Sequence, residues 1–125
     1  MASTSTTQPS VKALDDQLNQ QILAGDILGA FDRFYADNVV MQENTEQPRT
    51  GKAENRKYEE QFLASVEQFH RAALLGAAVE GDRSYSEWEF DATYKGAGRT
   101  KLVQAAARQW KNGQIVHERF YYSKG

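Results

Sequence analysis

Cysteine is absent from the 125 residues. That excludes a disulfide framework, a thiolate nucleophile and a cysteine-ligated zinc site. Histidine is nearly absent, and the two present, His70 and His117, stand far apart in the chain. A metal site would need further ligands converging from elsewhere, so neither a metal nor a cofactor is expected. Positive charge is not in excess: fifteen Lys and Arg against seventeen Asp and Glu leave a net charge of −2. A chain with no surplus of cations is poorly suited to neutralise phosphates, so nucleic acid is not an expected partner. No apolar run approaches the ~20 residues of a membrane span. The opening MASTSTTQPS lacks both the basic start and the apolar segment of a secretory signal. Residues 1–10 are expected to be a disordered leader, and the protein a cytoplasmic one with no membrane partner.

What is present is the composition of an ordinary globular protein, 40% hydrophobic and 26% charged. The length fits one domain, over residues 11–125. Val11, Leu14, Leu18 and Ile22 recur at helical spacing. Gly25 is placed to end that helix and Asp26 to cap a second, short one carrying Ile27, Phe31 and Phe34 on one face. Thr50 is placed to cap a third helix, in which Tyr58, Phe62 and Val66 align. Its other face, with Lys52, Glu54, Arg56, Lys57, Glu59 and Glu60, reads as a solvated surface.

Between the second and third helices lies YADNVVMQENTEQPRTG, Tyr35 to Gly51. A short apolar strand, Val39 to Met41, is followed by a carboxylate and several amides. A strand held between two helices, polar just past its apolar part, suits the mouth of a pocket. Glu43 is the leading candidate for chemistry there. A carboxylate in an apolar pocket has its charged form disfavoured, and so becomes a usable base or acid near neutrality.

After Gln68 the period changes to two. Gly81-Asp82, Lys95-Gly96-Ala97-Gly98 and Asn112-Gly113 are turn signals between runs of β-branched and aromatic residues. Trp88, Phe90 and Ala92 alternate with Glu87, Glu89 and Asp91. Four antiparallel strands therefore follow the three helices, an α+β domain with helices on one side of a curved sheet. Asn112-Gly113 is the preferred pair for a two-residue type I′ turn, which predicts that Lys111 faces Gln114. Continued without interruption, this register sets Ala107 opposite Glu118, Ala105 opposite Phe120 and Arg108 opposite His117. One face then receives Ala105, Ala107, Val116, Glu118, Phe120 and Tyr122. The other receives Arg108, Trp110, Ile115, His117, Arg119 and Tyr121. Two alanines opposite larger residues leave room for a hollow on the first face.

The order helix, helix, strand, helix, four strands resembles the nuclear transport factor 2-like superfamily, and within it the SnoaL-like polyketide cyclases and ketosteroid isomerases. The resemblance is carried by Gly25-Asp26, by Phe34-Tyr35-Ala36-Asp37-Asn38, by Pro48-Arg49-Thr50-Gly51 and by Trp110-Lys111-Asn112-Gly113-Gln114-Ile115. It implies a cone-shaped pocket between the helices and the concave antiparallel sheet. It also implies a carboxylate base on the first strand. Anchoring on Tyr35 to Asn38 puts Glu43 at that position, whereas anchoring on Pro48 to Gly51 puts Gln42 there; the strand anchor is preferred, since length differences fall in loops. The isomerases' two proton donors do not carry over, because their positions fall near Leu18 and on Ala107. Trp88 and Phe90 fall where the family has pocket-lining aromatics.

From these readings the catalytic candidates are Glu43 and Glu118. Ligand-binding candidates are Gln42, Tyr35, Tyr58, Trp88, Phe90, Phe120 and Tyr122, with Leu18 and Phe62 completing the wall. A structural role for Glu118 would need a basic partner, for which Arg71 is available. Two classes of function are open: cofactor-free proton transfer, isomerisation or cyclisation of an apolar carbonyl compound, and non-catalytic binding or assembly on the same fold. The family commonly pairs sheets, so a homodimer through the outer face, built on Trp110, Ile115, Tyr121 and the arginines, is expected.

Overall fold

A computed structural model of the chain describes residues 9–123; most of the expected leader lies outside the described residues. Ser10 and Asp26 start the first two helices by the same chemistry. Each side chain accepts a backbone N–H left without an intrahelical partner: Ser10 Oγ from Ala13 at 3.1 Å, and Asp26 Oδ1 from Gly29 at 3.0 Å. Helix α1 covers Val11–Leu23 and α2 covers Ile27–Phe34. Gly25 joins them with φ +89°, a conformation that glycine adopts without steric cost.

Helix α3, Lys52–Ser65, starts differently from expectation. Thr50 does not cap it. Together with Arg49 it forms a two-residue strand, β2, paired with Val40 and Met41 of β1 (Tyr35–Glu43). The cap position passes to Gly51, and the joint is held from inside the helix. Asn55 Nδ2 donates to the carbonyls of Gly51 at 2.8 Å, Arg49 at 3.0 Å and Val39 at 3.4 Å. One buried amide thus ties β1, β2 and α3 together.

The remaining strands are β3 (Val66–Glu80), β4 (Arg83–Tyr94), β5 (Gly98–Lys111) and β6 (Gln114–Tyr122). The sheet runs β2-β1-β6-β5-β4-β3, with β1 parallel to β6 and every other pair antiparallel. Three helices thus pack on a curved, mostly antiparallel sheet, as expected, and the unexpected β2 brings its strands to six. The core lies under α1 and α2, where Leu18, Phe34, Val39, Met41, Trp110 and Ile115 are each 2% exposed or less. Phe34 meets Trp110 edge-on at 6.2 Å.

The Asn112-Gly113 turn pairs Lys111 with Gln114, as the sequence predicts. The register then slips by one residue. Trp110 faces Ile115, but Gln109 faces His117, leaving Val116 as the extra residue of a β-bulge. Beyond it Arg108 faces Glu118, Ala107 faces Arg119, Ala106 faces Phe120 and Ala105 faces Tyr121. This corrects the expected faces on β5. Arg108, Trp110 and, on β6, Ile115 point inward and are buried, while Ala105 is exposed on the outer face. The reason is packing. Trp110 and Ile115 are too apolar to leave the core, and Glu118 must also point in, so the odd spacing from 115 to 118 requires one bulged residue.

Candidate functional site

Between the helices and the concave sheet lies a cavity of about 200 Å³. A single water needs only ~10–15 Å³ of such space, so it has room for a small organic molecule. Its walls come from every layer. Helix α1 gives Leu18, α2 gives Phe31, α3 gives Tyr58, Glu59 and Phe62, and the sheet gives Trp88, Phe90, Leu102, Gln104, Phe120 and Tyr122. Alternation on β4 and on β6 beyond the bulge aims Trp88, Phe90, Phe120 and Tyr122 into the hollow. The Trp88 and Phe90 rings stack at 5.6 Å and 6°, and Trp88 Nε1 is satisfied by Ser86 Oγ at 2.9 Å.

The polar groups form two knots. The first is deep and fully buried. Glu118 accepts from Arg108 Nε at 2.8 Å and from the Tyr35 hydroxyl in a short hydrogen bond. Arg108 Nη1 in turn reaches Asp15 Oδ1 and Asn19 Oδ1, both at 2.8 Å. Ser84 Oγ donates to Asp15 at 2.7 Å and accepts from Trp110 Nε1 at 2.9 Å. Burial pushes the Glu118 carboxyl upward against the pull of Arg108 and Tyr35. Tyr35 is held well above the ordinary phenol value, by burial first and then by the Glu118 charge. Desolvation opposes the Arg108 charge, but Glu118, Tyr35 and Asp15 outweigh it and its pKa rises.

The second knot lies where β1 meets β2. Glu43, 7% exposed, accepts from Arg49 Nη2 and from the Tyr122 hydroxyl, both at 3.0 Å. The Arg49 guanidinium lies 3.6 Å from the centre of the Tyr58 ring and donates through Nε to Asn55 Oδ1 at 3.2 Å. Burial, then the Glu43 charge, raises both Tyr122 and Tyr58.

The structure brings eight of the nine candidate side chains to the cavity wall: Glu43, Glu118, Tyr35, Tyr58, Trp88, Phe90, Phe120 and Tyr122. Gln42 is the exception; it points away, and its Nε2 donates to the Glu46 carbonyl at 2.9 Å. Of the alternatives Gln42 and Glu43, the inward side chain is Glu43. Arg71 does not partner Glu118. It is exposed on β3, at the far edge of the sheet, and the partner is Arg108.

Glu59 was missed. Read as part of a solvated face, it instead lines the cavity and is half-buried. Desolvation, then the charges of Glu118 and Glu43, raise its pKa from 4.5 to about 7, with Arg49 opposing. The signal was available. Asn55, Glu59 and Phe62 fall at i, i+4 and i+7, the inward stripe of a helix.

Comparison with known proteins follows the same outline. The sequence model of the SnoaL-like domain matches residues 11–122. No curated protein matches the chain in sequence. Among solved structures, a SnoaL-like protein of the polyketide cyclase type from Mesorhizobium loti superposes with a TM-score of 0.84 at 27% identity, over 91% of this chain and all of the other. A protein of ketosteroid isomerase-like fold from Catenulispora acidiphila, in complex with trimethylamine, gives 0.73 at 18% identity, covering 94% of this chain and 88% of its own. An NTF2-like protein of unknown function from Burkholderia pseudomallei gives 0.78 at 12% identity, over 93% and 92%. The match over nearly the whole described fold shows that this chain belongs to the SnoaL-like family.

Proposed function

We propose that the protein binds a flat, largely apolar, uncharged small molecule bearing a carbonyl group, and moves a proton on it without a cofactor. The observation that carries this reading is the division of one cavity into two zones. Phe90, half-buried and stacked on the almost wholly buried Trp88, gives the cavity an apolar wall on β4, while the carboxylates of β1 and β6 lie across β5 from it with Glu59 of α3 beside them. Such a hollow, apolar with a few placed polar groups, is the usual form of a small-molecule site. Glu43, Glu59 and Glu118 face it with Arg108 as the cation among its lining residues, so a carboxylate or phosphate ligand would meet net repulsion. Glu43 and Glu118, each already paired with an arginine and a tyrosine, set the field of the pocket and hold its shape.

Titration of Trp fluorescence with 2-tetralone, a flat bicyclic ketone, tests the reading. Saturable quenching in the wild type, lost in Trp88→Ala, is the expected result. No saturation, or equal quenching in both proteins, would sink it.

As a partner we propose a second copy, paired through the outer sheet face. Tyr85, Val103 and Tyr121 are exposed there, at 41–49%, beside Glu87 and Arg119. Charges of both signs around aromatic residues suit a two-fold interface. Light scattering at twice 14.1 kDa is expected; a monomer at micromolar concentration would rule the pairing out.

A further inference from the structure

The two consecutive residues Tyr58 and Glu59 stand apart from the other polar groups of the cavity. Every other tyrosine and carboxylate lining it is already tied: Tyr35 to Glu118, Tyr122 to Glu43, Glu118 to Arg108 and Glu43 to Arg49. Among the described residues, the Tyr58 hydroxyl and the Glu59 carboxylate have no hydrogen-bond partner, and both side chains line the hollow. Asn55, one turn earlier on α3, anchors the helix start through four hydrogen bonds. Arg49 lies across the Tyr58 ring at 3.6 Å, so the phenol has a packed base and an unbonded tip. A base and a hydrogen-bond donor lining one hollow are what proton abstraction beside a carbonyl requires.

We propose that Tyr58 and Glu59 are the catalytic acid–base pair of the pocket, Glu59 accepting a proton from the carbon beside the ligand's carbonyl while Tyr58 donates a hydrogen bond to the carbonyl oxygen. This rests on the reading of the pocket as a carbonyl-compound site. The C–H bond breaks, its electron pair forms the C=C bond of an enolate, and the carbonyl π pair moves to oxygen. The proton held on Glu59 returns to the same carbon or to a conjugated one. Return to a conjugated carbon is isomerisation. Return to the same carbon is exchange when the carboxyl proton of Glu59 has first passed to solvent and been replaced by a deuteron from D₂O. Neither needs an oxidant or a reductant. The groups acting on Glu59 are Glu118 from β6, Glu43 from β1 and Arg49 from β2. Two anions against one cation, together with burial, leave Glu59 near half-protonated at neutral pH, where a base can both take and return a proton.

The test is deuterium exchange of the α-hydrogens of 2-tetralone in D₂O, followed by proton NMR, with binding measured separately by fluorescence. Wild type is expected to exceed buffer, with a rate that rises with pH through a midpoint near 7. Glu59→Gln should lose ~10²–10⁴-fold while still binding. Glu59→Asp should recover part of the rate, and Tyr58→Phe should lose ~10²–10³-fold. Equal exchange in wild type and Glu59→Gln, with binding intact, overturns the assignment and leaves the pocket reading standing. Absence of binding by wild type sinks the pocket reading instead, and the ¹³C carboxyl resonance of Glu59 then decides. A midpoint near neutrality, lost in Glu59→Gln, supports the pair; a midpoint near 4.5 overturns it.

Discussion

Arg108 Nε lies 2.8 Å from Glu118 Oε2, with the two residues directly opposite each other on β5 and β6 and almost wholly buried. The same guanidinium bridges to Asp15 on α1, so one side chain holds a helix to the sheet and closes the inner end of the pocket. A cation shared by two buried carboxylates is costly to remove, because both anions are then left uncompensated. Arg108→Met should lose about 3–5 kcal/mol in denaturant unfolding. Glu118→Gln should lose less, since Asp15 and Asn19 still hold the guanidinium. A loss below ~1 kcal/mol for Arg108→Met would show that the network is not what joins α1 to the sheet.

That contact exists because Val116 is bulged. Were Val116 paired in the ladder instead of bulged, the turn register would place Arg108 opposite His117 and reverse the inward set of β5. Deleting Val116 removes the extra residue and leaves Trp110 opposite Ile115, Gln109 opposite His117 and Arg108 opposite Glu118 in an unbroken register, so the variant should keep the near-UV circular dichroism of the buried tryptophans. A Val116 deletion variant that loses this signal or no longer folds would contradict the register.

Most of the architecture was legible because it depends on periodicity and on turn residues. Asn112-Gly113 and Gly81-Asp82 form the two-residue turns they signal, and Asp26 caps as expected. Glu43, Trp88, Phe90, Phe120 and Tyr122 were legible as an inward set because alternation on a strand is a local property. The bulge was not, since it arises from a conflict between Trp110, Ile115 and Glu118 that appears only when two strands are packed. The inward face of Arg108 is hidden for the same reason. Glu59 was hidden by its charged neighbours Lys57 and Glu60, which do face solvent. Thr50 passed from cap to strand because β2 exists only through pairing with Val40.

Glu59 makes stability fall with pH. Its folded pKa, about 7, lies above the unfolded 4.5, so the folded state retains a proton that the unfolded state has lost. Its contribution is complete below about pH 4.5 and is lost as pH rises through about 7. Glu59→Gln should thus match wild type near pH 4 and exceed it near pH 8, by about 1–3 kcal/mol. Thermal melts across that range decide it. A variant less stable than wild type at pH 8 would show that the carboxylate has a stabilising partner.

Tyr35, buried, and Tyr122, half-buried, each donate to a carboxylate, and desolvation first, then that charge, raises their pKa values. In an alkaline absorbance titration their tyrosinate signal should come late, with unfolding. Tyr35→Phe should remove late amplitude and leave the early phase intact. An early phase that shrinks in Tyr35→Phe would place this hydroxyl in solvent rather than on Glu118.

Asn55 should matter beyond its size. It makes four hydrogen bonds at the start of α3 and positions Arg49, and through it Glu43 and the Tyr58 ring. Asn55→Ala should cost about 2–3 kcal/mol and also weaken 2-tetralone binding. Unchanged affinity together with lowered stability would separate the helix joint from the pocket.

The central claim, that the hollow over Trp88 is where a ligand sits, is tested most directly by isotope-filtered NMR of labelled protein with unlabelled 2-tetralone. Intermolecular contacts from the ligand's ring hydrogens to Trp88, Phe90 and Phe120, with its carbonyl end nearest Tyr58, are the predicted result. Contacts confined to the outer-face residues Val103 and Tyr121, or none at saturating ligand, would contradict the account.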